Sequence, residues 1–167
     1  MSIISIKISN LLSFQELDLK NINDINCFVG TNNAGKSNLF KIIQYFYSQI
    51  EGERILSPTL NSNYTSYGEI EIEFDLSRIR KIVTASRGNA QQSAFFKHIY
   101  TTMFNIEADV FGFLLKKKRQ KDKSDLGEKF KLGLIVNKDG TSSWKNGNQQ
   151  IRSLISYLFP FFAIDAR

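Results

Sequence analysis

Eight consecutive residues, Gly30-Thr31-Asn32-Asn33-Ala34-Gly35-Lys36-Ser37, have the types and spacing to hold a polyphosphate. Glycines at the first and sixth places let the backbone wrap closely around an anion, so that successive N–H groups, those of Asn33 and Ala34 among them, point inward. Lys36 reaches the β- and γ-phosphates as the catalytic cation, and the Ser37 hydroxyl is a ligand for Mg²⁺. This is the P-loop pattern, G-x-x-x-x-G-K-[ST], and the chemistry it serves is nucleoside triphosphate binding. A helix beginning at the lysine adds its positive N-terminal end to the same anion site.

Such a loop works only between a strand that delivers it and a helix that leaves it. Ile25-Asn26-Cys27-Phe28-Val29, rich in β-branched and aromatic residues, reads as that strand. After Ser37, apolar residues recur at helical spacing (Leu39, Phe40, Ile42, Ile43, Tyr45, Phe46, Tyr47), with no Gly or Pro before Ile50. The pattern predicts a helix from about Gly35 to Ile50.

The 167 residues suffice for one domain with a substantial core, and 42% hydrophobic with 23% charged residues is ordinary for a globular chain. No apolar run approaches the roughly 20 residues of a membrane-spanning helix. The alternating start, Met1 to Ile8, lacks the marks of a signal peptide. The single cysteine, Cys27, excludes an intrachain disulfide and a cysteine metal cluster, and in a strand before the loop it reads as a buried free thiol. A cytoplasmic location is expected, without a membrane partner. Net charge is +6, which permits contact with nucleic acid. The basic residues gather at Lys116-Lys117-Lys118-Arg119-Gln120-Lys121-Asp122-Lys123, which reads as a solvated face, with a phosphate-backbone contact as the alternative.

Three divisions are expected: residues 1–50, with a strand hairpin, the P-loop and the first helix; 51–148, an antiparallel β and helical lobe; and 149–167, a helix and strand returning to the core and incomplete at the C-terminus. Residues 2–9 and 14–19 read as paired antiparallel strands across a turn at 10–13. Residues 51–67 read as a mobile polar connection. In 68–76, strict alternation sends Ile70, Ile72, Phe74 and Leu76 to a core and Glu69, Glu71, Glu73 and Asp75 to solvent, which argues for one wet strand face over a metal cluster. Helices are expected at 77–86, 91–104 and 149–158, and strands at 108–116, 129–136 and 159–167. Lys138-Asp139-Gly140 reads as a hairpin turn, with Trp144 opening the returning strand. His98, the only histidine, lies in the apolar stripe Phe95, Phe96, Ile99, Tyr100 and Met103 and reads as a packing or surface residue.

The order strand, Asn10-Leu11-Leu12-Ser13-Phe14, two further strands, then Gly-Thr-Asn-Asn-Ala-Gly-Lys-Ser-Asn-Leu resembles the N-terminal part of ABC-type ATPases of the SMC/RecF/OLD group. In that group a segment like I-x-N-F-R/K-S-F precedes a loop like G-x-N-x-x-G-K-S-N. The resemblance is specific over residues 1–48. It implies an α/β P-loop NTPase fold, an ABC-ATPase-like head with an antiparallel β-rich subdomain, and ATP with Mg²⁺ as ligands. It adds Asn32 (the group's loop Asn) and Asn38 (after the Mg²⁺-binding serine) to the nucleotide site. It implies heads that dimerise around ATP, so that a second copy or a partner completes the site. It also implies action on DNA, in repair or in antiphage defence, and in the OLD branch an attached Toprim nuclease. The ending Phe161-Phe162-Ala163-Ile164-Asp165-Ala166-Arg167 resembles the strand after the β-rich lobe in OLD-like ATPases, which implies a place near the nucleotide for Asp165 or Arg167.

The chain departs from the group in three places. Leu12 stands where the group often has Arg or Lys. Nothing fits the signature motif that clamps ATP across a dimer. Phe161 to Asp165 has four apolar residues and an Asp, but Ala166 replaces the catalytic Glu, so the stretch reads as an ordinary core strand. Hydrolysis also needs a carboxylate to help hold Mg²⁺ and a group that orients water, and the sequence identifies neither. Two other readings remain open: a free-standing P-loop nucleotide-binding or kinase-type enzyme, and a non-catalytic module that uses nucleotide for assembly. Kinases of that class usually place a parallel strand after the first helix, whereas residues 68–76 alternate like an antiparallel strand.

Overall fold

The structure is a computed structural model, and it describes residues 2–23, 26–30, 35–62, 64–75, 94 and 129–161. The helices expected at 77–86 and 91–104, with His98, the strand at 108–116 and the basic run at 116–123 lie outside these residues, apart from Ala94. By its contacts the chain divides into two compact units. One comprises 2–74 with 131–167, and the other comprises Met1 with 75–130.

The described elements are β1 (Ser2–Leu11), β2 (Phe14–Leu19), α1 (Lys36–Glu51), β3 (Tyr67–Asp75), β4 (Lys129–Asn137), β5 (Ser142–Trp144) and α2 (Gln149–Leu158). The strands form one sheet in the order β2-β1-β3-β4-β5. β1 and β2 pair antiparallel, with Ile8 opposite Leu17 and Leu11 opposite Phe14, and β4 and β5 pair antiparallel, with Leu134 opposite Trp144. Period-two alternation sorts the two faces. Ile6, Ile8, Ile70, Ile72, Phe74, Leu132, Leu134 and Val136 are buried. Glu69, Glu71 and Glu73 are half-exposed on the other face of β3. Each has a neighbouring partner: Lys145 for Glu69, Lys131 at 3.4 Å for Glu71, and the Ser5 hydroxyl, which donates to Glu73 at 3.2 Å. The hydrogen bond from Lys145 to Glu69 holds its ammonium above the usual lysine range.

Helix α1 buries Leu39, Ile42, Ile43, Tyr45, Phe46 and Tyr47 and leaves Phe40 half-exposed. Phe46 meets Trp144 edge-on at 5.3 Å, and Phe74 meets Phe159 at 4.8 Å, so both helical segments are keyed to the sheet by aromatic pairs. Burial, with a smaller effect of Glu51, pushes the Tyr47 hydroxyl well above the usual phenol range, so it stays neutral in the core. Helix α2 starts as its sequence dictates, with the Asn148 side chain accepting from Ile151 N–H at 2.9 Å. The turn between β4 and β5 is closed by Asp139, which accepts from both N–H and hydroxyl of Thr141. These bonds hold the Asp139 carboxyl below the usual range. Trp144 ends β5 and does not open it.

Two further expectations are corrected, the strand at 25–29 and the buried Cys27. Residues 26–30 form no strand, although the sequence favours one. A strand needs a ladder, and the five strands of the described sheet pair with one another and not with this segment. Cys27 is accordingly exposed and not buried. Residues 159–161 are likewise outside any strand, and 162–167 are not described. The connection after α1 makes backbone bonds at residues 59, 61 and 66. Leu12 N–H donates to Thr59 O at 2.9 Å, Asn61 N–H to Asn10 O at 3.1 Å, and Lys138 N–H to Ser66 O at 3.0 Å.

Asn10 organises that fastening. Its left-handed backbone (φ 55°) is tolerated by Asn better than by most residues. Its side chain accepts from Ser62 N–H at 2.8 Å and donates to Tyr67 O at 2.9 Å and to the Thr65 hydroxyl. Gly68 lets β3 start directly against β1, since a Cβ there would stand 2.8 Å from Asn10 O and 2.5 Å from a Leu11 methyl. Replacing Asn10 by Ala leaves these part-buried groups without partners and keeps the unfavourable φ. The expected loss is about 1–3 kcal/mol of unfolding free energy, with Asn10→Gly losing less. Urea denaturation of the three proteins checks both the loss and the order.

Candidate functional site

Gly30, Gly35, Lys36, Ser37 and Asn38 are described, whereas Asn32, Asn33 and Ala34 are not. Gly35 is the N-cap of α1 with φ 81° and ψ 3°, a left-handed conformation open to glycine at little cost. No side chain caps the helix, and its first turn holds no acidic residue. The first N–H groups of an α-helix have no partner within the helix. Among the described residues they and the positive end of the helix dipole meet no side-chain cap and no first-turn carboxylate, which suits a phosphate.

A second requirement falls on Gly35. A Cβ there would meet Ser13 Oγ at 2.9 Å and the Phe14 ring at 3.2 Å. The turn between β1 and β2 therefore sits directly on the end of the loop, with room only for a hydrogen at Gly35. The same turn is tied one helical position further on, where Asn38 Nδ2 donates to Ser13 Oγ at 3.0 Å. The segment Asn10 to Phe14 thus has a physical part in the site. Asn10 and Leu12 set the turn in left-handed backbone (φ 55° and 49°), and Ser13 and Phe14 abut the loop. Leu12 engages through its main chain, with N–H on Thr59 O and its carbonyl accepting from Asn61 Nδ2 at 2.7 Å. Ser13 had no role in the sequence reading. The only signal for it was its fixed place in the segment that carries the family resemblance.

The Lys36 ammonium donates to Gly30 O, which joins the last part of the loop to its first residue. An anionic phosphate is a stronger acceptor than a neutral carbonyl, so this contact can give way to a bound nucleotide. The Ser37 hydroxyl is exposed on the first turn of α1. Magnesium keeps several waters and takes few protein ligands when phosphate oxygens are present, and one hydroxyl at this place fits that habit. Asp165 and Arg167 lie outside the described residues. Beside the loop, Phe14, Leu17, Leu19, Cys27, Phe28 and Leu39 line most of a 280 Å³ cavity that ends at Gly35 and Lys36. Val29 is 90% exposed and Phe28 packs edge-on against the half-exposed Phe40 at 6.1 Å, so the approach to the loop is apolar on this side.

Gly35→Ala is the sharpest check on this geometry. The strain of a left-handed alanine is about 1–2 kcal/mol, and the methyl must also displace Ser13 or Phe14. We expect lower stability by denaturation, and weaker nucleotide binding than in a variant with alanine placed on the exposed face of α1, such as Lys41→Ala.

The AAA ATPase domain family matches residues 1–157. A chain from the structural biochemistry of ATP-driven dimerisation and DNA-stimulated activation of SMC ATPases superposes with a TM-score of 0.50, covering 92% of this chain and 77% of its own, at 15% identity. That likeness concerns the fold: an α/β P-loop NTPase of the ABC-ATPase-like head type with an antiparallel β-rich sheet.

Proposed function

The chain belongs to the AAA ATPase domain family, and from that premise we propose that it is the ATP-binding portion of an SMC/RecF/OLD-like ATPase. ATP with Mg²⁺ occupies the loop from Gly30 to Asn38. The backbone of Asn32, Asn33 and Ala34 cradles phosphate, Lys36 neutralises the β- and γ-phosphates, and Ser37 holds the metal. Magnesium supplies charge neutralisation between the β- and γ-oxygens when bound. The observation that carries the reading is Gly35: its left-handed N-cap opens an uncapped helix end to an anion, with the β1–β2 turn seated on it.

In this reading ATP binding drives association of two heads, and the association is coupled to action on DNA, in repair or in antiphage defence. An OLD-type arrangement would add a Toprim nuclease. The motif order of residues 1–48 supports the group, and the net charge of +6 suits a nucleic-acid partner. The exposed, unladdered segment 26–30 supports a site completed from outside the described residues, for instance by a second subunit. Among the described residues no helix is long and apolar enough to cross a membrane, and we place the protein in the cytoplasm. Half-exposed, lysine-paired Glu69 and Glu71 on β3 give that strand one wet face, which favours this reading over a kinase with a fully covered parallel sheet.

Titration of the 167-residue chain with ATP and Mg²⁺, with mass measured in parallel, tests the proposal. Binding that Lys36→Ala abolishes is expected, with dimers appearing only when ATP and Mg²⁺ are both present. Turnover should stay well under ~1 s⁻¹, the lower end of ordinary enzymes. Fast hydrolysis by a monomer would overturn the split-site reading.

A further inference from the structure

Ser13 lies on a turn that is fixed from both sides. Before it, Leu12 is bonded through its N–H to Thr59 O and through its carbonyl to Asn61 Nδ2. After it, β2 begins at Phe14, paired with Leu11. The backbone at Ser13 is therefore held relative to the sheet. The Ser13 hydroxyl accepts from Asn38 Nδ2 at 3.0 Å and stands where a side chain at Gly35 would collide with it at 2.9 Å. Gly35 and Asn38 bracket Lys36 and Ser37. Further along, α1 is anchored by fully buried Ile42 and Phe46, but its first turn has no such anchor before Leu39. Helix ends fray where neither packing nor capping restrains them.

We propose that Ser13 is a positioning residue for the P-loop, acting through its hydrogen bond with Asn38 to fix the first turn of α1 and hence the direction of Lys36 and the Ser37 hydroxyl. The proposal deepens the ATP-site reading and rests on it. Ser13 touches no phosphate in this role. It keeps the N–H groups of the first turn converged, so that a bound polyphosphate does not bear the cost of ordering them.

The test measures ATP·Mg²⁺ affinity by calorimetry for the full chain and for Ser13→Ala, Ser13→Thr, Asn38→Ala and the Ser13→Ala/Asn38→Ala double variant. One ordinary hydrogen bond corresponds to about a fivefold change in affinity. Ser13→Ala and Asn38→Ala should each weaken binding by about that factor. The double variant should be no weaker than about fivefold, where independent effects would multiply to about 25-fold. Ser13→Thr restores the hydroxyl at an exposed position and should bind within about twofold of the parent. Wild-type affinity in Ser13→Ala, multiplied effects in the double variant, or no recovery in Ser13→Thr would each overturn the positioning role while leaving the ATP site intact. A parent chain whose ATP affinity is absent, or unchanged by Lys36→Ala, would overturn the site itself and this role with it.

Discussion

The close approach of the β1–β2 turn to Gly35 is the constraint on which the site depends. Two independent demands meet at one residue. The backbone needs a left-handed conformation to turn from the loop into α1, and the space above Cα is already taken by Ser13 Oγ and the Phe14 ring. Glycine satisfies both. A larger residue would have to distort either the backbone that enters α1 or the hairpin that begins the sheet. The start of α1 and the sheet are therefore not separate parts joined by a linker. They share a surface one hydrogen atom thick.

That surface is kept in place by polar bonds, because it lies at the rim of the apolar core. Asn10 carries most of them. It stands where alternation from Ile6 and Ile8 calls for another inward apolar side chain. Its left-handed backbone instead turns the strand, so that Leu11 is also fully buried. The amide then satisfies Ser62 N–H and Tyr67 O, groups that a part-buried loop could not leave unpaired without loss. The connection from Thr59 to Ser66 is consequently tied to the turn that touches Gly35. A displacement at the loop has a short mechanical route to the first turn of α1, through Asn61, Leu12, Ser13 and Asn38.

Elements defined by their own residues were legible in the sequence. β2 at 14–19 and α2 at 149–158 have the expected ends, and α1, β3 and β4 differ by one residue at their ends. Periodicity and capping are local, so Ile70, Ile72 and Phe74 declare their buried face without reference to a partner. What the sequence did not disclose depends on neighbours distant in the chain. Ile25 to Val29 has strand propensity, yet 26–30 lacks a ladder, and Cys27 follows it into solvent. Gly, Pro, Asn and Ser between 51 and 67 signal a loop, but which groups its amides bond to, here Asn10 and Leu12, depends on the fold. The part of Ser13 belongs to the same class, since it arises from residues 25 positions apart.

The exposed segment 26–30 also gives physical meaning to a site read as incomplete. Val29 is 90% exposed immediately before Gly30, and Phe28 and Cys27 border an apolar cavity that runs to Lys36. Burying such a side chain is worth about 1.5–3 kcal/mol, so an element that covered this segment would gain apolar contact and supply the missing ladder together. The loop's exit is set by Gly35 and α1, and its first residue, Gly30, accepts from the Lys36 ammonium. The exit half of the P-loop is therefore preformed by this chain's own packing.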